Sequence, residues 1–114
     1  MIKIGTTYLY TIMKYGYPPK PDDDFRAFEE IAKMGFHYLE MEGLGSIHGE
    51  NVYRNRNAYQ KALADAGIHV HNFCIVNPDL VSLDEGKRKA AYEEFRRFAE
   101  IGALLDAETY HLAS

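Results

Sequence analysis

Two copies of one short pattern decide the fold: Ile31-Ala-Lys-Met-Gly-Phe-His-Tyr38 recurs further along as Leu63-Ala-Asp-Ala-Gly-Ile-His-Val70. In each copy an amphipathic helix ends, a glycine follows where the chain needs a positive φ, and a β-rich run begins. A repeat of this length is typical of a β/α unit. A helix, a glycine and a strand also follow one another in many α/β proteins. The repeated pattern alone therefore does not exclude an ordinary α/β order of elements without a true internal repeat.

Helices and strands alternate along the rest of the chain. The first amphipathic helix begins behind Pro21 and three aspartates that can cap it, the second follows Asn55, and the third opens at Ser82 with capping-box spacing. Four strand candidates lie around them, at residues 2–8, 38–42, 70–76 and 109–113. This order predicts one α/β domain over residues 1–114, with a parallel sheet and right-handed crossovers.

The connections differ in length at the two ends of the sheet. Links from a helix to the next strand are tight turns at Gly35 and Gly67, whereas links from a strand to the next helix are long. The long links span residues 9–24, 43–57 and 77–82. They all lie at the carboxyl ends of the strands, the rim where parallel α/β folds bind ligands.

Charge and composition narrow the class of partner. The 114 residues include 13 basic and 17 acidic side chains, for a net charge of -4, so nucleic acid and anionic membranes are not expected partners. The single Cys74 excludes an internal disulfide and a multi-cysteine zinc site. No apolar run approaches the roughly 20 residues of a membrane span, and the start of the chain lacks an export signal. We therefore expect a cytoplasmic protein.

Alternation along the second predicted strand separates two kinds of side chain. Leu39 and Met41 suit a helix-covered face, which sends Glu40 and Glu42 to the other side. Two carboxylates are costly to bury beneath helices without partners, so a polar barrel interior suits them better. We expect Lys3 to pair with Glu40 as a structural contact.

The same alternation places four side chains near the functional rim: Thr7, Glu42, Cys74 and His111. His111 suits a metal ligand, an acid or base, or a buried hydrogen-bonded histidine. His48 falls in a predicted flexible loop, either a lid that touches substrate or a solvated loop. No phosphate loop, nucleophile elbow or dinucleotide fingerprint is present, so the catalytic residues stay unassigned.

Four segments of the chain form a recognisable set: Met1-Ile-Lys-Ile-Gly-Thr-Thr-Tyr-Leu-Tyr10, Phe28-Glu-Glu-Ile-Ala-Lys-Met-Gly-Phe-His-Tyr-Leu-Glu-Met-Glu42, Phe73-Cys-Ile-Val76 and Glu108-Thr-Tyr-His-Leu-Ala-Ser114. Together they resemble the sugar phosphate isomerase/epimerase family, part of the xylose isomerase-like TIM-barrel superfamily. The resemblance covers the amino-terminal half of a family member. It implies a parallel (β/α) half-barrel of the TIM-barrel type.

The resemblance also implies roles for particular positions. Thr7 and Cys74 match substrate-contacting positions of ketose epimerases, and Glu42 matches a pocket position. His111 is similar in placement to a metal-binding histidine of endonuclease IV. Asp106 departs from a glycine that the family usually has there, although Asp tolerates the left-handed conformation. The resemblance implies a divalent metal (Mn, Mg, Co or Zn) whose principal ligands lie outside this chain.

The expected function is therefore the amino-terminal half of a metal-dependent enzyme that moves a proton on a small sugar or polyol. The isolated chain is expected to be inactive. A non-catalytic assembly or sugar-binding subunit is the alternative, and phosphodiester cleavage is disfavoured by the acidic pI. Because half a barrel leaves two sheet edges unpaired, a second copy or a complementary half-barrel is an expected partner.

Overall fold

The computed structural model describes residues 2–113. Within them the chain forms five α-helices, three β-strands and one 3₁₀ turn. In chain order these are α1 (Leu9–Tyr15), α2 (Pro21–Lys33), β1 (Tyr38–Leu44), α3 (Gly45–Arg54), α4 (Arg56–Ala66), β2 (His69–Val76), the 3₁₀ turn (Pro78–Val81), α5 (Glu85–Leu104) and β3 (Thr109–Ala113).

The three strands form one sheet in the order β1-β2-β3, and both pairs are parallel, as predicted. The register between β1 and β2 shifts by one residue after Leu39: Leu39 pairs with Val70, whereas Glu40 pairs with Asn72. His71 is the extra residue at this irregularity. The insertion restores the match between the two strands, so that polar residues of β2 face the same side as Glu40.

The predicted strand over residues 2–8 is wrong as a strand, because only Thr6 pairs with β1. The Thr6 N–H donates to the Tyr38 carbonyl and the Glu40 N–H donates to the Thr6 carbonyl, both at 2.9 Å. This register carries residues 2–4 past the start of β1, and the chain turns into α1 at Leu9. The segment therefore has no room for a longer ladder.

The expected pair between Lys3 and Glu40 is also absent from the contacts of residues 2–113. The Lys3 Nζ instead lies over the Tyr38 ring, 5.2 Å from its centroid. Glu40 instead accepts a hydrogen bond of 2.9 Å from Asn72 Nδ2.

Two of the long links contain helices that the sequence interpretation missed. Helix α1 is held by Glu30 of α2, whose carboxylate accepts hydrogen bonds from Tyr10, Lys14 and Tyr15. Helix α3 packs Gly49 against Phe98, where a Cβ would lie 2.5 Å from the ring. Helix α5 begins later than predicted, with Asp84 as its N-cap.

Tight turns lead from helix to strand as expected. Gly35 and Gly67 have φ angles of 93° and 70°, and Asp106 occupies the left-handed region with φ 55°. The tolerance expected of Asp106 is therefore confirmed. The two histidines of the repeated pattern lie where the strands begin: His37 directly precedes β1 and His69 is the first residue of β2. The His69 N–H donates to the His37 carbonyl at 2.8 Å.

One face of the sheet is buried beneath the helices. Leu39, Met41, Phe73 and Ile75 are at most 1% exposed and belong to one core. The opposite face carries the polar residues, which confirms the predicted alternation along β1. Within residues 2–113 the structure contains no helix whose length and hydropathy would let it span a bilayer.

Candidate functional site

The polar face of the sheet carries two rows of side chains. Sheet register places Glu40, Asn72 and Thr109 in one row, and Glu42, Cys74 and His111 in the next. Neighbouring strands lie about 4.8 Å apart, so the members of each row are adjacent. The second row is nearer the carboxyl ends of the strands, and it brings together three of the four predicted site residues.

Asn72 joins the two rows by hydrogen bonds. Its Nδ2 donates to Glu40 Oε2 at 2.9 Å. Its Oδ1 accepts from Thr109 Oγ1 at 2.7 Å and lies 3.0 Å from His111 Nδ1. Asn72 is only 8% exposed, so these bonds satisfy an amide that burial would otherwise make costly.

Glu42 is half-buried on the polar face of the sheet, which no helix of residues 2–113 covers and which is called the open face below. Burial raises the pKa of its carboxyl, the charge of Glu40 raises it further, and His111 lowers it. The group is therefore coupled to both rows. A carboxylate in this position accepts hydrogen bonds from hydroxyl groups of a ligand.

Cys74 lies between Glu42 and His111. Its side chain is 3% exposed, and burial raises the pKa of the thiol to about 11, with Glu42 and Glu40 adding to the effect. The thiol stays protonated at neutral pH. It is therefore a small, weak hydrogen-bond donor in the pocket and is not an activated nucleophile.

Thr7 lies apart from the other three predicted residues. It is exposed, and its hydroxyl accepts a hydrogen bond of 3.3 Å from the Leu9 N–H. With Lys3, Glu40 and His71 it lines a cavity of about 250 Å³ beside the first row. Thr7 thus adjoins the row of Glu40 and is one row away from Glu42.

A buried network behind the rim includes a histidine whose placement the sequence interpretation missed. His48 lies in α3 and is 2% exposed, so the predicted flexible loop is wrong. The Leu44 N–H donates to His48 Nδ1 at 2.8 Å, which leaves the ring proton on Nε2 in the neutral form. Nε2 then donates to the Tyr8 hydroxyl at 3.2 Å.

The network ends on a buried carboxylate. The hydroxyls of Tyr8 and Tyr59 both donate to Asp24, the first at 2.6 Å. Burial raises the pKa of Asp24 to about 6 and lowers the pKa of His48 to about 4. These residues tie the segment before α1 to α2, α3 and α4, so the network holds the elements behind the rim in place.

The residues described here do not make a complete metal site. Between residues 2 and 113, no group of three or more His, Cys, Asp or Glu side chains lies close enough together to hold a metal ion. The divalent metal implied by the resemblance therefore does not fit the side chains of this chain alone. Glu42 and His111 lie on the two outer strands of the row, with the protonated thiol of Cys74 between them.

Comparison with known proteins shows that the chain has the architecture of a solved sugar epimerase structure. No protein-family model matches the chain, and no curated protein matches it significantly. The crystal structure of D-psicose 3-epimerase in the presence of D-fructose superposes with a TM-score of 0.74 at 24% sequence identity. The match covers 97% of this chain and 37% of that chain. It confirms the predicted fold class: the chain has the fold of a parallel (β/α) half-barrel.

Proposed function

We propose that this chain forms the amino-terminal half of the sugar pocket of an isomerase or epimerase acting on a small sugar or polyol. The observation that carries the proposal is the row of Glu42, Cys74 and His111, which lies on the open face at the carboxyl ends of the strands. The fold likeness to D-psicose 3-epimerase supports it. Reaction chemistry and metal dependence belong to the proposed complete protein.

Each side chain has a binding role that follows from its chemistry. Glu42 accepts hydrogen bonds from sugar hydroxyls, and its half-buried position strengthens them relative to bonds in water. Cys74 provides a small protonated thiol that leaves room for a ring or chain carbon. His111 offers an imidazole nitrogen, and Thr7 a hydroxyl at the edge of the neighbouring cavity.

The proposal includes a partner that covers the two edges of the sheet. Ile2 and Ile4 are 89% and 70% exposed at one edge of the sheet, and Leu112 is 44% exposed at the other. Leu112 pairs with Ile75, which is 1% exposed, so the same face is covered at β2 and open at β3. The match covers only 37% of the neighbouring structure, so the proposed cover in a complete protein is a segment that corresponds to the remaining part. For the isolated chain a second copy takes that place.

The experiment is a D-fructose titration of the ¹⁵N-labelled chain followed by amide chemical shifts. We expect the shifts to concentrate around Glu42, Cys74 and His111, with Glu42→Gln weakening binding about tenfold because a charged acceptor is lost. Glu29→Gln, on the exposed surface of α2, is the matched control and leaves binding unchanged. Shifts scattered over the surface, or equal binding by Glu42→Gln, overturn the proposed pocket.

A second arm separates catalysis from binding. The isolated chain is expected to bind D-fructose and to produce no epimerised sugar, with or without manganese(II). Epimerisation by the pure chain contradicts the half-pocket. Binding by a larger assembly that neither manganese(II) nor a chelator changes favours the alternative, a non-catalytic sugar-binding subunit.

A further inference from the structure

The amide of Asn72 has a fixed orientation. Its Nδ2 donates at 2.9 Å to Glu40 Oε2, an atom of a carboxylate that can only accept. Its Oδ1 accepts at 2.7 Å from the Thr109 hydroxyl. Reversing the amide would place an NH₂ group against Thr109 and an oxygen against the Glu40 carboxylate. The carbonyl oxygen therefore faces His111.

This orientation determines which ring nitrogen of His111 carries the proton. His111 Nδ1 lies 3.0 Å from Asn72 Oδ1, and a carbonyl oxygen can only accept a hydrogen bond. Nδ1 is therefore the donor. A neutral imidazole has one N–H, so Nε2 carries a lone pair.

The Nε2 atom is available to a ligand. His111 is exposed on β3, and among residues 2–113 the hydrogen bond of its ring is the one through Nδ1. Its register partner Cys74 contributes a thiol that burial keeps protonated. Glu42, the next residue in the row, contributes a carboxylate. A ligand that donates hydrogen bonds thus meets two acceptors, one on each outer strand.

We propose that Asn72 is a positioning residue that holds neutral His111 in the Nδ1-protonated tautomer and presents the Nε2 lone pair to a hydroxyl group of the ligand. Glu40 anchors the amide and Thr109 supports its oxygen. The identity of the ligand as a sugar rests on the proposed function. The tautomer does not, and it is measured without any ligand.

The test is a long-range ¹H–¹⁵N correlation spectrum of the histidine rings at pH 8.5, about two units above the ordinary pKa of histidine. The chain has five histidines, and a His111→Gln variant identifies the signals of His111. We expect His111 Nδ1 to have the ¹⁵N chemical shift of a protonated ring nitrogen and Nε2 that of an unprotonated one. His48 is an internal reference of opposite sense, because its Nδ1 accepts from the Leu44 N–H.

Two variants separate positioning from general packing. Asn72→Leu removes the acceptor at similar volume, and we expect the His111 tautomer to become mixed or reversed while His48 is unchanged. Thr109→Val removes the other donor to the same oxygen and is expected to leave the His111 tautomer unchanged. An Nε2-protonated His111 in the wild-type chain overturns the proposal, even where Asn72→Leu fails to fold. So does an unchanged tautomer in a folded Asn72→Leu variant.

D-fructose is then added to the same samples. We expect it to shift the Nε2 signal of the wild-type chain, and Asn72→Leu to bind about tenfold more weakly, the loss of one hydrogen bond. The expected tautomer with no response to D-fructose supports the positioning role and counts against the proposed sugar pocket. The two claims therefore fail separately.

Discussion

Glu42 and Cys74 are register partners on β1 and β2, and the carboxylate helps to raise the pKa of the thiol. Burial is the larger cause, since the Cys74 side chain is 3% exposed. The pair lies at the centre of the polar face, so the chemistry of this thiol reports the electrostatic environment of the candidate pocket.

The reactivity of Cys74 follows from this relationship. Its pKa rises from 9.0 to about 11, which lowers the thiolate fraction at pH 8 by a factor of about 100. We expect iodoacetamide to modify the native chain at least that much more slowly than the chain unfolded in urea. Glu42→Gln should increase the native rate several-fold because it removes a negative charge, whereas Glu29→Gln should not. Equal rates in the two variants would show that Glu42 does not act on the thiol.

Asp24 and His48 make opposite contributions to the pH dependence of stability. Folding raises the pKa of Asp24 from 3.8 to about 6, so its contribution is present below pH 3.8 and is lost as the pH rises through 6. Folding lowers the pKa of His48 from 6.5 to about 4, so its contribution is present above pH 6.5 and is lost as the pH falls through 4. Between about pH 4 and 6, the contribution of Asp24 to the unfolding free energy therefore falls with rising pH, while that of His48 rises.

Two variants separate the pH-dependent contributions of Asp24 and His48 to the unfolding free energy. Relative to wild type, the unfolding free energy of Asp24→Asn should rise more steeply with pH between 4 and 6, because His48 is then unopposed. That of His48→Gln should fall relative to wild type over the same interval. Urea titrations at several pH values measure both differences. Parallel pH profiles for all three proteins would contradict the assignment of buried titrating groups.

Tyr59→Phe tests the hydrogen bonds to the buried carboxylate. The variant removes a donor to Asp24 from a side chain that is fully buried. We expect a loss of about 1–3 kcal/mol in unfolding free energy, the cost of an under-satisfied buried acceptor. Tyr92→Phe, on the exposed side of α5, serves as the control with little change. A loss for Tyr59→Phe no larger than for the control would show that Asp24 does not depend on this bond.

Gly5→Ala tests how the first segment docks on β1. A Cβ at this position would lie 2.5 Å from the Tyr38 carbonyl oxygen, a backbone atom that cannot move aside easily. We expect a loss of about 1–3 kcal/mol and faster amide exchange at Thr6 and Glu40, whose N–H groups form the bridge. Lys3→Ala, on the same segment, should leave this exchange unchanged. Unaltered exchange in Gly5→Ala would mean that the segment is not docked in this way.

Much of the fold follows from local patterns in the sequence. Gly35 and Gly67 mark turns that need a positive φ, and the alternation of β1 places Glu40 and Glu42 opposite a helix-covered face. These features are predictable because each depends on a few consecutive residues. The prediction of a strand over residues 2–8 failed because only Thr6 of this segment pairs with β1. The length of the pairing depends on where β1 begins, and the sequence of residues 2–8 does not encode that position.

The candidate site was less predictable. The bulge at His71 and the hydrogen bonds of Asn72 depend on the register between strands that are distant in sequence. His48 lacks an apolar pattern that marks it as buried, and only the packing of α3 reveals its role. A polar residue aligned with Glu40 on a neighbouring strand is the signal that could have pointed to Asn72.

The solution mass of the isolated chain, measured by light scattering with an intact-mass spectrum of the same sample, tests the central claim most directly. The account predicts a covalent mass of 13.1 kDa in a dimer or larger assembly, because the open polar face and both sheet edges need a cover. A stable, folded monomer of 13.1 kDa that neither self-associates nor binds D-fructose would contradict it.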